Sequence, residues 1–223
     1  MRIGILGGTG PAGSALGARL ASVGYHVVIG SRSADRAAEI VSAESEKFPT
    51  VADHLSAGDN AAAANCDLVV IATPWDSAAA TVQDNAAALD GKIVVSMANA
   101  LVRVAGEFQP LLPPRGSVAA HVQAAVPRCR VVAAFHHLPA KELGHLGEPI
   151  DSDVLICSDD DEALATVADI VARIPGCRPL DAGQLSNATA IEAFTAVLLQ
   201  LNVRYRTRVA PKLTGIKGDP RSR

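Results

Sequence analysis

Aromatic residues are nearly absent. Phe, Trp and Tyr together make up 3% of the 223 residues. So few rings cannot line a stacking platform for single-stranded nucleic acid, which needs a flat side chain for each successive base. They also leave the core to Ala, Val, Ile and Leu, since hydrophobic residues still reach 49%. Charge is sparse as well, 19% against about 25% in an ordinary soluble domain. A chain this apolar and this weakly charged is not intrinsically disordered. The net charge of −3 supplies no positive field for nucleic acid or an anionic membrane. No apolar run approaches the ~18 residues of a membrane-spanning helix. The apolar start, Ile3-Gly4-Ile5-Leu6, breaks into glycines and has no small-residue cleavage site, so it is not a signal peptide. Cys66, Cys129, Cys157 and Cys177 form no C-x-x-C pair and read as small buried hydrophobes in a reducing compartment. These absences predict a soluble, cytoplasmic chain with no metal and with neither nucleic acid nor membrane as partner.

What is present is an alternation of short apolar runs and Ala-rich helical stretches. Residues 3–6, 26–29, 68–71, 92–95, 131–134 and 154–157 are continuous apolar runs rich in β-branched residues. Such runs suit parallel strands covered on both faces. Pro11 stands where a first-turn proline opens a helix, and Gly24 stands just past its end. Gly176 closes the helix 163–174 in the same way. The pattern predicts an α/β fold, a doubly wound and mostly parallel sheet of the Rossmann type. Residues 100–116, with Pro110, Pro113, Pro114 and Gly116, read as a loop. Residues 1–149 are expected to form the nucleotide-binding domain. Residues 150–223 form a C-terminal extension with a strand, a helix, the short strand 178–180 and a long helix towards Arg208, capped by Ser186 or Asn187. The last fifteen residues read as a tail.

Gly8-Thr9-Gly10-Pro11-Ala12-Gly13 is a G-x-G-x-x-G that ends the first strand and opens the first helix. The first glycine permits the turn, the second lets a pyrophosphate approach the backbone, and the third lets helix and strand pack closely. The helix N-terminus then faces the anion. An NAD site usually ends strand 2 with a carboxylate for the ribose 2′-hydroxyl. Here that tip is Gly30-Ser31-Arg32, with Arg36 one turn on. A serine and two arginines suit a 2′-phosphate, so the cofactor is expected to be NADP(H) rather than NAD. Thr73-Pro74-Trp75 follows another strand at its carboxyl end, where Trp75 and Pro74 could wall the nicotinamide ribose or fill a crevice.

No familiar acid–base set appears. The Y-x-x-x-K of short-chain dehydrogenases is absent, since Ile29 follows Tyr25 at that spacing and Val209 follows Tyr205. After strand 92–95 come Ser96 and Asn99, and after strand 131–134 come His136 and His137. These are the polar candidates for a ligand. Asp159-Asp160-Asp161-Glu162 reads as a helix start whose carboxylates cap free N–H groups and face the positive end of the dipole.

In order along the chain stand Leu6-Gly7-Gly8-Thr9-Gly10, Gly30-Ser31-Arg32, Pro74-Trp75, Val94-Val95-Ser96, His136-x-Leu138-Pro139-Ala140, Asp159-Asp160-Asp161-Glu162, Arg178-Pro179-Leu180-Asp181-Ala182-Gly183, Leu185-Ser186-Asn187 and Gly215-Ile216-Lys217. On these motifs the chain resembles the NADPH-dependent coenzyme F420 reductases, which pass a hydride between NADP and a deazaflavin. The resemblance runs from residue 2 to about 217, and the run from Arg178 to Asn187 is absent from generic Rossmann domains. It implies NADP contacts from Thr9, Gly10, Pro11, Ala12, Ser31, Arg32 and Arg36. It adds Thr73, Ser77, Leu138, Pro139 and Ala140 around the nicotinamide half. It implies coenzyme F420 as co-substrate against residues 96–101, His136 and the Thr214-Gly215 turn. The missing acid–base set then has a reason: stacking two flat rings with donor and acceptor carbons in reach is most of the work, and no catalytic side chain is assigned beyond the candidates Ser96, Asn99 and His136. Arg204 and Arg208, spaced i, i+4, are expected to rim the pocket for an anionic deazaflavin tail. A homodimer is expected, by family and by the apolar face Ile191, Phe194, Leu198 and Leu201 of the long helix. Two rival readings stay open, an NADPH-dependent flavin or metal reductase and a non-enzymatic NADP sensor.

Overall fold

The computed structural model describes residues 1–217; residues 218–223, the end of the expected tail, lie outside the described residues. The chain begins β1 (Arg2–Leu6), α1 (Pro11–Ser22), β2 (His26–Ser31), α2 (Ala34–Lys47), β3 (Leu55–Asp59), α3 (Asn60–Ala64), β4 (Leu68–Ile71), α4 (Ala78–Asp84), α5 (Ala86–Leu89) and β5 (Ile93–Ser96). It continues with β6 (Leu101–Val104), β7 (Glu107–Pro110), α6 (Val118–Ala125), β8 (Arg130–Ala133), α7 (Ala140–Leu143), β9 (Ser152–Ser158), α8 (Asp161–Ala172), β10 (Cys177–Asp181) and α9 (Ala188–Tyr205).

Eight of these strands form one sheet in the order β10-β9-β8-β5-β4-β1-β2-β3. Every pairing is parallel except β8 with β9. The sheet is therefore the doubly wound, mostly parallel one that the apolar runs predict. Strand alternation sends Ile3, Ile5, Val27 and Ile29 to one face, where α1 covers them, and α8 covers β8, β9 and β10 in the same core cluster. Leu6, Val28, Val69 and Ile71 go to the other face, under α3, α4, α6 and α9. Because both faces are covered, the inner strands β1, β4, β5 and β8 are apolar at nearly every position, while the edge strands β3 and β10 are not.

Four features depart from the sequence reading. β3 was not anticipated, since Leu55-Ser56-Ala57-Gly58-Asp59 has no β-branched residue; pairing to β2 decides it. Residues 100–116 are not a plain loop: β6 and β7 form an antiparallel hairpin turned at Ala105 and Gly106. α9 ends at Tyr205, where Arg206 adopts a left-handed φ of 52°. Arg204 and Arg208 therefore do not share a helix face, and each is paired with an acid, Arg204 with Glu107 and Arg208 with Glu142. Asn187 stands at the N-cap of α9, but its side chain donates to Ala182 O instead. On that helix Ile191 and Leu198 are buried, while Phe194 is exposed.

Candidate functional site

The strand order reverses between β1 and β4, and ligands of such sheets sit in the crevice beyond the carboxyl ends at that point. A cleft of about 430 Å³ lies there, lined by Gly7, Thr9, Gly10, Ser31, Arg32, Arg36, Asn60, Ala72, Thr73, Pro74, Ser77 and Thr81. Eight residues predicted from sequence thus meet in one place: Thr9, Gly10, Ser31, Arg32, Arg36, Thr73, Pro74 and Ser77.

The anion cradle follows from local chemistry. Gly10 is the N-cap of α1 and offers no side-chain cap, Pro11 occupies the first turn, and no acidic residue stands there. The N–H groups of Ala12 and Gly13 therefore face outward without an intrahelical partner. Such an end binds a pyrophosphate through N–H groups and the positive end of the dipole. Gly7 turns the chain at a φ of +68°. Its N–H is donated to Asn60 Oδ1 at 3.1 Å, and that of Gly8 to Gly30 O at 2.8 Å. Gly8 and Gly13 shape the turn rather than line the cleft. A Cβ on Gly13 would lie 2.8 Å from Gly8 Cα and 3.0 Å from Ala72 Cβ. Gly13→Ala should therefore push α1 off the turn at a cost of about 1–3 kcal/mol. We expect a lower Tm and at least tenfold weaker NADPH binding by titration; wild-type affinity would show that the turn has slack.

Ser31 is buried at the tip of β2, and its Oγ accepts the Ser33 N–H at 3.2 Å. Ser33 in turn caps α2 by accepting the Arg36 N–H. Arg32 is exposed and forms no ion pair among the described residues. Arg36 lies 2.8 Å from Glu39, but both groups are mostly exposed, so the pair is worth about 1 kcal/mol or less and yields to a phosphate. Across the cleft, Thr73 Oγ1 is buried without a hydrogen-bond partner. Ser77 spends its hydroxyl hydrogen on Pro74 O. Trp75 does not line this cleft. It packs on the second core cluster and walls a separate niche of about 60 Å³ with Pro113, Pro114 and His121.

A second polar group lies beside the first. β5 is the neighbour of β4, and β8 of β5, so Ser96 and the turn after β8 meet at the same carboxyl edge. There Phe135 takes a φ of +66°, a left-handed conformation that costs an aromatic residue about 1–3 kcal/mol. The strained turn leads into His136. Ser96 Oγ and both ring nitrogens of His136 are buried without partners. Burial, then the charge of neighbouring His137, pushes His136 down to about 3. It is neutral at physiological pH, because the Ala98 and Met97 backbone beside the ring offsets only a small part of that shift. An unfolded histidine takes its proton near 6.5, and the folded one refuses it until about 3. Stability should therefore fall as pH drops through that window, by roughly 4–5 kcal/mol in total. His136→Asn should flatten that acid limb in urea titrations at pH 7, 5 and 4; an unchanged limb would refute the assignment.

The other candidates, Leu138, Pro139 and Ala140 among them, do not line this cleft. Asn99 donates to His136 O at 3.3 Å and accepts from Thr195 at 3.0 Å, tying α9 to the turn. His137 Nε2 meets Ile191 O at 2.7 Å. Leu138 is buried, Pro139 is the N-cap of α7, and α7 packs on α1. Pro11 and Ala12 stand at the mouth of α1, outside the lining of the cleft. Thr214 is exposed, next to Leu213, whose N–H is donated to Asp153 Oδ2 at 2.6 Å. Asp160 caps α8, and Asp159 accepts the Leu185 N–H. Burial pushes Cys157 up to about 12 and Cys177 up to about 11, so neither is a nucleophile.

Asn60 and Thr81 were missed. Asn60 follows a strand that the sequence did not reveal, and Thr81 is one more small residue in an Ala-rich helix. Their positions in the cleft depend on β3 and α4 being where they are.

An uncapped helix N-terminus at the switch point, with Ser31 and two arginines at the second strand tip, defines a dinucleotide-binding Rossmann protein whose cleft fits NADP. The family model described as "NADP oxidoreductase coenzyme F420-dependent" matches residues 2–100. An F420-dependent NADP reductase of Methanocaldococcus jannaschii is 36% identical over 222 residues, covering 97% of each chain. One of Methanothermobacter thermautotrophicus is 32% identical, over 94% of this chain and 93% of that one. The crystal structure of a putative F420-dependent NADP reductase from Arthrobacter sp. FB24 matches with a TM-score of 0.73 and 26% identity, over 94% of this chain and 99% of that one. The chain belongs to the F420-dependent NADP reductase family.

Proposed function

We propose that this chain transfers a hydride between NADP(H) and coenzyme F420. The observation that carries it is the adjacency of two fitted groups at one sheet edge. The first is the cleft with its uncapped α1 turn, Ser31 and Arg32. The second is the set of unpartnered buried atoms of Ser96 and His136. When bound, the nicotinamide supplies the hydride and the deazaflavin a ring carbon that takes it. The uncapped start of α1, which meets the cleft at Thr9 and Gly10, would hold the pyrophosphate, and Arg32 and Ser31 the 2′-phosphate. Thr73, Ser77 and the Leu138-Pro139-Ala140 wall would keep the nicotinamide half in place and water out. Ser96 and neutral His136 would offer hydrogen bonds to the polar rim of the deazaflavin without moving a proton. Residues 150–217 would complete that side through residues 207–217, a strap that follows α9, is tied to Asp153 at Pro211 and Leu213, and carries Thr214.

The assay follows NADPH oxidation with deazaflavin, with FMN and with no acceptor, and repeats each with NADH. Fast NADPH-specific reduction of deazaflavin is expected. Turnover with FMN alone would point to a flavin reductase, and tight NADPH binding without turnover to a sensor. We further propose a cytoplasmic homodimer. No described helix is long and apolar enough to cross a membrane. Phe194, Val197, Tyr205 and Leu112 leave an apolar surface along α9 and the end of the hairpin, suited to a second copy.

A further inference from the structure

Arg19 is the only charged residue of α1, and its side chain is 1% exposed. A guanidinium has five N–H donors, and each finds a backbone carbonyl. Nε donates to Leu143 O at 3.0 Å. Nη1 donates to Glu148 O at 3.0 Å and to Leu146 O at 3.5 Å. Nη2 donates to Glu142 O at 2.8 Å and to His145 O at 2.7 Å. No acceptor is a carboxylate. The cation is solvated entirely by one short stretch of chain, residues 142–148, which includes the Leu143 carbonyl at the end of α7. An ion pair would hold one side chain. This arrangement holds a backbone. Lys47 adds a bond to Gly144 O from α2.

The place of that stretch gives the cage a use. α7 begins directly after Leu138 and Pro139, and α1 begins at the anion-binding turn. Arg19 lies about 12 Å along α1 from Pro11, at ~1.5 Å per residue. One helix therefore carries the pyrophosphate turn at its start and, two turns later, grips the segment behind the nicotinamide wall. Reactive geometry is steep in distance: misplacing a group by about 1 Å can lower a rate ~100-fold.

We propose that Arg19 is a positioning residue for hydride transfer, which locks residues 138–148 to the helix of the pyrophosphate turn and so fixes the nicotinamide wall relative to that turn. This rests on reading residues 8–13 as the NADP turn and residues 138–140 as the wall. Arg19→Lys keeps the charge, but an ammonium has three donors and no fork, so it cannot span these carbonyls. Arg19→Gln removes the charge as well.

Two ligands separate this role from a merely structural one. 2′,5′-ADP carries the 2′-phosphate and adenosine but no nicotinamide. In Arg19→Lys its Kd should stay within twofold of wild type. The Kd of NADPH should rise about tenfold, and kcat should fall at least tenfold. Guanidinium chloride, below the concentration that unfolds the protein, should restore turnover to Arg19→Ala and not to Arg32→Ala. A lower Tm with unchanged NADPH Kd and kcat would overturn the proposal. Parallel weakening of 2′,5′-ADP and NADPH would overturn it too, because Arg19 would then act on the turn itself. Wild-type protein that binds neither ligand would instead remove the NADP reading on which the proposal stands.

Discussion

Arg32→Ala should raise the KM for NADPH tenfold or more and leave the KM for NADH within twofold. Arg32 stands directly after Ser31 at the tip of β2, lines the cleft and has no ion pair among the described residues. Its charge is therefore available to a ligand that carries a phosphate there. A charge-assisted hydrogen bond contributes about 1.5–3 kcal/mol, which is roughly 10- to 150-fold in affinity. NADH has a hydroxyl at that position and little to lose. Arg36→Ala should cost less, because Glu39 already shares its guanidinium. Steady-state kinetics with both nucleotides decide the matter. Equal losses for NADPH and NADH would show that Arg32 does not read the 2′-phosphate.

The second large effect is expected at the opposite edge of the sheet. Asp153 is fully buried at the start of β9. It takes two hydrogen bonds from Arg178 of β10, at 2.8 and 2.6 Å, and one from the Leu213 N–H at 2.6 Å. Burial alone would push its carboxyl up. The hydrogen bonds of Arg178 and Leu213, with the charges of Arg178 and Lys212, outweigh that and hold it below the ordinary carboxylate range. A carboxyl held low adds stability that is present above its unfolded value and is lost as pH falls through the folded one. Asp153→Asn removes the charge at every pH. Breaking a buried pair costs about 3–5 kcal/mol, and the partial exposure of Arg178 reduces that to about 2–4 kcal/mol. For a domain this long, Tm should fall by roughly 5–12 °C. Asp153 also anchors the strap at Pro211 and Leu213, beside Thr214. The KM for deazaflavin should rise several-fold while that for NADPH stays put. A lower Tm with an unchanged deazaflavin KM would place the strap outside the pocket.

Parts of this site were legible in the sequence because their chemistry is local. The anion turn needs only consecutive residues: a strand, a glycine turn, which the motif reading puts at Gly8 and the structure makes at Gly7, an N-cap without a side chain at Gly10, and Pro11 in the first helical turn. The cofactor preference needs only the tip of the next strand. The cap at Asp160 is equally local, a side chain reaching an N–H three residues on. Trp75 was not legible. Its position after β4 was, but which side of the turn the indole takes depends on α6 and the Pro113-Pro114 segment packed against it. The helix face imagined for Arg204 and Arg208 failed because one left-handed residue, Arg206, ends α9 between them, and no local signal marks it.

By itself the sequence determined the alternation of strand and helix, the sheet covered on both faces, and the phosphate turn with its NADP-favouring serine and arginines. These follow from residue periodicity and from hydrogen bonds between near neighbours. Only the tertiary structure decided that β3 pairs as a strand, that β9 runs antiparallel, and that Ser96 and His136 are both buried at the same edge of the sheet. The same holds for the buried charges. Glu192 accepts the Val118 and Ala119 N–H groups at the start of α6, with its carboxyl pushed up to about 7 by burial. Arg19 finds its carbonyls more than 120 residues away. In the sequence both look like ordinary charged residues on helices. A buried charge is stable only where distant parts of the chain supply its partners, and that is a property of the fold rather than of any stretch of chain.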